Sequence, residues 1–316
     1  MSDETHLIDA LRGIACHSAA RDLRDDVAVV PAPIGRDLVL THDMIVEGIH
    51  YLSEDPPGDV AWKLLAVNLS DLAAKGAEPM GVLMGYGLAR RPGLEGRDWD
   101  EAFVAGLGRA LDHFGVPLLG GDTVAQPAGD ARVLGLTAIG QVAPGGAPDR
   151  RGARPGDLLF VTGPIGDAGL GLRIARGEID GPRRLLKAYR LPMPRLAEGR
   201  VLGPVAHAMA DVSDGLLIDA QRIAAASGLA VSINLDAVPL SDEALAFGGD
   251  RDARLTASTA GDDYQLLCAV PPDARDAAAA VATEIGRFDR GAGLTLHDRG
   301  GAAPLPTSLG FEHSRR

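Results

Sequence analysis

Apolar positions recur at helical spacing over residues 7–20, where Leu7, Ile8, Leu11 and Ile14 share one face. The next two runs, residues 27–30 and 37–45, are dense in β-branched and apolar residues and predict strands, the first stopped by Pro31-Ala32-Pro33. Asp59 suits a helix start, and the 3.6 period then holds to about Lys75 and stops at Gly76. Within that helix Trp62, Leu65, Leu69 and Leu72 form one apolar stripe. Leu64, Asn68, Asp71 and Lys75 line another face, which can present Asp71 to a cleft near the helix end. Strands are predicted at 80–88, 116–119 and 132–142, with a helix over 98–114.

Residues 142–157 interrupt both periodicities with Pro144-Gly145-Gly146-Ala147-Pro148 and Pro155-Gly156, the best candidate linker. Beyond it the pattern predicts strands at 157–162, 206–210, 230–235 and 263–270. Helices are expected at 167–176, after the Pro-rich Leu191-Pro192-Met193-Pro194, at 214–227, and through the alanine-rich stretch 273–285. This alternation predicts two α+β domains, residues 1–148 and 149–316.

A chain of 316 residues has room for two domains of ordinary size. Aromatics are only 4% of it, so the core must be built from Ala, Val, Leu and Ile. The net charge of −12 disfavours a nucleic-acid partner, because phosphate backbones are bound by Lys and Arg patches. The same charge is awkward for an enzyme of anionic nucleotides unless metal ions reverse the local sign. Cys16 and Cys268 lack metal-ligand spacing, and reduced thiols point to the cytoplasm. Residues 1–11 lack the apolar core of a signal peptide, and no stretch approaches the ~20 apolar residues that span a bilayer. No membrane association is expected.

Five acidic stretches fall where these elements should end: Asp25-Asp26, Thr41-His42-Asp43, Asn68-Leu69-Ser70-Asp71, Gly120-Gly121-Asp122-Thr123 and Asp211-Val212-Ser213-Asp214-Gly215. Carboxylates drawn from distant segments repel one another unless a cation lies between them, and hard oxygen donors suit Mg²⁺ or Ca²⁺. Three of these stretches also have a plainer reading. Asp71 could be a capping or surface carboxylate, and Gly120-Gly121-Asp122 an ordinary turn. Ser213 could simply cap the helix that follows. A cap does not need two further aspartates, however, whereas a phosphate at a helix N-terminus with carboxylates holding its cation does. Arg150 and Arg151 in the linker are either solvated or a guanidinium fork for a nucleotide phosphate. His50 could be a core or surface histidine. No G-x-x-x-x-G-K-[ST] loop, protein-kinase loop or H-E-x-x-H motif is present.

Taken in order, these stretches resemble the thiamine-monophosphate kinases, a family in the aminoimidazole ribonucleotide synthetase-like superfamily. The likeness is carried by Asp25-Asp26-Val27-Ala28, by Asp43 with Val46-Glu47-Gly48-Ile49-His50, and by the block Asn68-Leu69-Ser70-Asp71-Leu72-Ala73-Ala74. It continues through Gly120-Gly121-Asp122-Thr123, Arg150-Arg151-Gly152-Ala153, Val161-Thr162-Gly163, Asp211-Val212-Ser213-Asp214-Gly215-Leu216, Gly261-Asp262-Asp263-Tyr264 and, weakly, Gly310-Phe311-Glu312-His313. The resemblance implies a two-domain α+β fold whose N-terminal strands pair across a homodimer. It also implies Mg²⁺ ligands at Asp26, Thr41, Asp43, Asp71, Asp122, Asp211 and Asp214. ATP contacts are implied at Gly121, Asp122, Arg150 and Ser213, and contacts to thiamine monophosphate at His50, Asp262 and Phe311. Three positions depart from the family pattern: Asp22-Leu23-Arg24 replaces Gly-Ile-Gly, His42 stands where Thr is common, and Asp262 replaces Glu.

The implied reaction moves the γ-phosphoryl group of ATP onto the phosphate of thiamine monophosphate, directly and in line. A phosphate monoester has a second pKa near ~6, so the acceptor oxygen is already ionised and no catalytic general base is expected. Other ATP-using members of the superfamily, a selenophosphate synthetase or an amidine-forming ligase, are the nearest alternatives. A non-catalytic nucleotide or divalent-ion binding protein, or a plain α+β protein with capping aspartates, are the others.

Overall fold

The computed structural model describes residues 3–24, 27–89, 96–127 and 129–312. Its contacts divide the chain into two units, Met1–Leu72 with Glu78–Ala143, and Ala73–Ala77 with Pro144–Arg316.

The first unit contains α1 (Asp3–Arg12), β1 (Asp37–Val46), α2 (Pro57–Ala73), β2 (Glu78–Ala89), α3 (Gly96–Phe114), β3 (Leu118–Gln126) and β4 (Val133–Val142). The strands form one sheet in the order β1-β4-β2-β3, with only β2 and β3 parallel. Side chains alternate across it, which separates its faces. Ile45, Leu134, Leu136, Val82, Met84 and Tyr86 are buried on the face that meets the helices, where Tyr86 lies edge-on to Phe103 of α3. The opposite face carries Leu38, Leu40, Met44 and Val124, each about half exposed or more. Arg132 is buried beside this core, donating to Tyr86 and Asp100 at 3.2 Å each and stacking over Trp99 at 3.6 Å, which pins α3 to the sheet.

The second unit is a seven-stranded sheet of β5 (Leu158–Val161), β6 (Ala208–Asp211), β7 (Leu229–Asn234), β8 (Leu266–Val270), β9 (Thr283–Arg290), β10 (Gly293–Asp298) and β11 (Gly301–Ala303). Their order is β11-β10-β7-β9-β5-β8-β6, antiparallel except for β7 with β10. Helices α4 (Asp167–Ala175), α5 (Arg183–Arg190), α6 (Leu196–Leu202), α7 (Leu216–Ser227), α8 (Asp242–Leu245), α9 (Arg251–Thr259) and α10 (Arg275–Ala279) complete it. Leu216, Leu217, Ala220 and Ile223 of α7 pack into one core with Val231, Ile233, Leu267 and Phe288.

Four expectations are corrected. The first helix stops at Arg12, and a 3-10 turn over Ser18–Leu23 follows, leaving Cys16 exposed. Residues 27–30 form no strand: Val27 and Val29 are exposed, and the prolines that follow cannot donate to a ladder. Gly120-Gly121-Asp122-Thr123 is no turn but the middle of β3, paired with residues 83–86 of β2. Finally, residues 273–285 hold only a 3-10 turn and the five-residue α10 before β9 begins at Thr283. Ala277–Ala279 are helical in α10, and the helix ends short of residue 285 because Thr283–Arg290 pair as β9 between β5 and β7. The pattern also passed over α5, α8, α9 and β9 to β11.

Candidate active site

In the first unit two carboxylates meet where β1 passes α2. Thr41 and Asp43 lie two residues apart and so share a face of β1. The Thr41 hydroxyl donates to the Asp71 carboxylate. The Asp43 backbone N–H donates to Asn68 Oδ1 at 2.9 Å, and the buried Asn68 amide donates in turn to Leu64 O at 3.0 Å. Burial, and then the charge of Asp71, push the Asp43 carboxyl up to about 6. Two acids that repel in this way are stabilised by a cation between them. Mg²⁺ takes one or two carboxylates and completes its shell with water and phosphate, so Thr41, Asp43 and Asp71 fit that ion as a donor set. Among the described residues no three His, Cys, Asp or Glu side chains form a cage by themselves.

His50 sits in the turn that follows β1. Its Nδ1 accepts the Val46 N–H at 3.0 Å, which leaves the proton of the neutral ring on Nε2. The buried Lys63 of α2 donates to His50 O at 2.8 Å and fixes the turn from below.

Asp122 does not join the Asp43–Asp71 pair. Asp43 pairs with Leu136, Leu136 with Met84 and Met84 with Gly121, so Asp122 falls one residue off that row and on the opposite face. There Gly121 and Asp122 line a cavity of about 840 Å³ together with Leu23, Val27, Ala28 and Thr137. A side chain at position 121 is excluded, because its Cβ would lie 2.0 Å from Met84 O. His42 is on this face too, its Nδ1 2.9 Å from the Thr137 hydroxyl. Asp26 lies outside the described residues.

In the second unit, β6 ends at the buried Asp211 and the chain turns through Ser213-Asp214-Gly215 into α7. Ser213 does not cap that helix; Gly215 is the N-cap, at φ +132°, with no side-chain cap. The buried Asp219, one turn inside α7, instead accepts the N–H groups of Ser213, Asp214 and Gly215 at 3.2, 3.1 and 3.2 Å. Those three N–H groups are thus bound by a carboxylate of the chain itself. Burial raises the Asp219 carboxyl, opposed by the backbone N–H of Asp214. Arg222 donates to both Asp214 and Asp219. The Asp262 N–H reaches Ser213 O at 2.8 Å and the Phe311 N–H reaches Asp214 O at 2.9 Å, so Ser213, Asp214, Asp262 and Phe311 gather around one loop. Arg150 is exposed, and its carbonyl accepts from Ser227 at 3.3 Å. Its neighbour Arg151 pairs with Asp149 and holds that carboxyl well below the usual range.

Motif reading missed Asp219, Arg222 and Lys63. Asp219 and Arg222 stand at helical spacing from the Asp-Val-Ser-Asp-Gly stretch, which was the available signal. Lys63 carried none, since an interior lysine is invisible without the fold.

Family profiles for AIR synthase related proteins match the chain twice, the N-terminal domain over residues 24–142 and the C-terminal domain over 154–298. The chain is 41% identical over 306 residues to the thiamine-monophosphate kinase of Caulobacter vibrioides, covering 93% of this chain and 85% of that one. The crystal structure of thiamine-monophosphate kinase from Stenotrophomonas maltophilia aligns at a TM-score of 0.81 and 36% identity, over 94% of this chain and 97% of the other. A structure of AaThiL complexed with AMPPCP and TMP aligns at 0.77 and 29% identity, over 90% of each chain. The chain therefore belongs to the AIR synthase related proteins and, among them, to the thiamine-monophosphate kinase family.

Proposed function

We infer that this chain is a thiamine-phosphate kinase, which transfers the γ-phosphoryl group of ATP to thiamine monophosphate and yields thiamine diphosphate and ADP. The observation that carries this reading is the 41% identity to a thiamine-monophosphate kinase across 93% of the chain. AMPPCP is an analogue of ATP, and a relative that binds it with TMP fits the same pair of substrates.

The acceptor phosphate is ionised at neutral pH, so the residues have no proton to remove. Their task is to hold two polyanions in line. Thr41, Asp43 and Asp71 are the best-defined holders of Mg²⁺, with Asp26, Asp122, Asp211 and Asp214 as further candidates. Held there, Mg²⁺ would supply positive charge to offset that of the phosphates and of the transferred group. Gly121 and Asp122 suit the nucleotide side through the cavity they line, and Arg150 and Ser213 its phosphates. His50 offers an Nε2 proton to the acceptor. The Asp262 carboxylate suits the fixed positive charge of the thiazolium ring, and Phe311 offers it an apolar surface.

The active form is a homodimer in the cytoplasm. Support comes from the exposed apolar face of β1, itself an edge strand of ten residues, since an uncovered edge of that length invites a second chain. No described helix is long and apolar enough to cross a membrane.

Incubation with ATP, Mg²⁺ and a panel of phosphomonoesters tests the reading. Thiamine diphosphate should form from thiamine monophosphate alone, and a chelator should stop it. ATP consumption without that product would remove the assignment.

A further inference from the structure

The segment Gly261-Asp262-Asp263-Tyr264 is folded against its conformational preference. Asp262 and Tyr264 take φ of +68° and +50°, the left-handed region where a Cβ crowds the backbone. Hydrogen bonds hold both residues there: the Asp262 N–H donates to Ser213 O and the Tyr264 N–H to Val212 O, each at 2.8 Å. Asp263 between them turns inward, and its carboxylate accepts from Gly166 at 2.7 Å and Ala168 at 3.3 Å. Gly261 brings the segment close, since a Cβ there would meet Ser213 O at 2.6 Å. A glycine at position 264 would adopt its φ freely. Tyrosine, here a residue only 8% exposed, supplies two things that glycine cannot, an aromatic ring and a hydroxyl that donates to Asp262 Oδ1 at 3.0 Å.

We propose that Tyr264 is a positioning residue for the acceptor subsite, acting through Asp262 by fixing its carboxylate in one orientation. The inference rests on the reading that Asp262 faces thiamine monophosphate. The χ1 and χ2 of Asp262 decide where its carboxylate points, and the hydrogen bond from the phenol to Oδ1 favours one such pose. Preorganisation of this kind shows in binding of the ligand concerned.

Tyr264→Phe keeps the ring and deletes the donor. The KM for thiamine monophosphate should rise about tenfold, the usual scale for a hydrogen bond to a charged group, with kcat and the KM for ATP unchanged. In an Asp262→Ala background the same substitution should add nothing, because the group it positions is gone. Thermal melts confirm that each variant is folded. If Tyr264→Phe leaves all constants at their original values, or lowers kcat and raises both KM values together, Tyr264 has no positioning role. The same effect with and without Asp262 would also overturn the proposal. Failure of the unmodified chain to phosphorylate thiamine monophosphate is a separate result: it removes the kinase reading and this inference with it.

Discussion

Asp43 and Asp71 are close enough for one to raise the other, with Asp43 pushed up to about 6 by burial and then by that charge. A purely structural role would not keep such a repulsive pair, since replacing either acid by an amide relieves it. Asp43→Asn and Asp71→Asn should therefore melt no lower than the original chain, while turnover at saturating Mg²⁺ falls by ~10²–10³-fold or more. Near-normal rates in either variant would take both residues out of the metal site. Asp263 gives a second residue-scale outcome, in stability. Burial pushes its carboxyl up to about 8, against the opposing N–H groups of Gly166 and Ala168. The native state thus holds this proton more tightly than the unfolded chain does. Its contribution is complete below the ordinary carboxylate pKa near ~4 and is lost as pH rises through about 8. Asp263→Asn cannot ionise, so the melting temperature of the original chain minus that of the variant should fall between about pH 5 and about pH 9. A difference that is flat with pH would contradict this.

At the scale of elements, long periodic segments were legible and short or shared ones were not. The helix over 57–73 and the strands over 37–46 and 133–142 fall close to where their periods place them, although α2 is buried on nearly every side from Val60 to Ala73 and β1 buries only Ile45. Gly120-Gly121-Asp122-Thr123 misled because glycines in sequence signal a turn, whereas here Gly121 serves the close approach of two parallel strands. Substitutions separate the two meanings. At Gly121 a Cβ would lie 2.0 Å from Met84 O, but at Gly120 the nearest atom is the Leu83 side chain at 3.4 Å. Gly121→Ala should cost roughly 1–3 kcal/mol in a denaturant titration, and Gly120→Ala much less. Equal costs would show that β2 and β3 are not packed as described. The Asp-Val-Ser-Asp-Gly loop was recognised as chemistry, but its organiser was not. Asp219 lies inside α7 and reads as one more surface acid until the three N–H groups converge on it. Over residues 273–285 Ala277–Ala279 do form a helix, but it is cut short because Thr283 already begins β9.

For the whole molecule, the ordered set of motifs located the family because each motif has a separate physical task and few chains would assemble all of them. Geometry then sorts the proposed ligands. Thr41, Asp43 and Asp71 stand together, Asp122 faces a cavity on the other side of its sheet, and Asp262 and Phe311 gather around the loop of Ser213 and Asp214. No sequence pattern carries that sorting, because the face of a strand on which Asp122 falls depends on register across three strand pairings. The exposed Leu38, Leu40 and Met44 on β1 call for a cover at this scale. Sedimentation should give about twice the 32.7 kDa chain mass, and Leu40→Glu should halve it. A monomer for the unmodified chain at assay concentration would contradict the dimer. The most direct measurement of all follows the phosphoryl group itself. With ATP labelled in the γ position, Mg²⁺ and thiamine monophosphate, the label should appear in thiamine diphosphate in step with ADP, and Asp71→Asn should abolish its transfer. Label found only in inorganic phosphate, or retained in ATP, would contradict direct transfer between the two substrates.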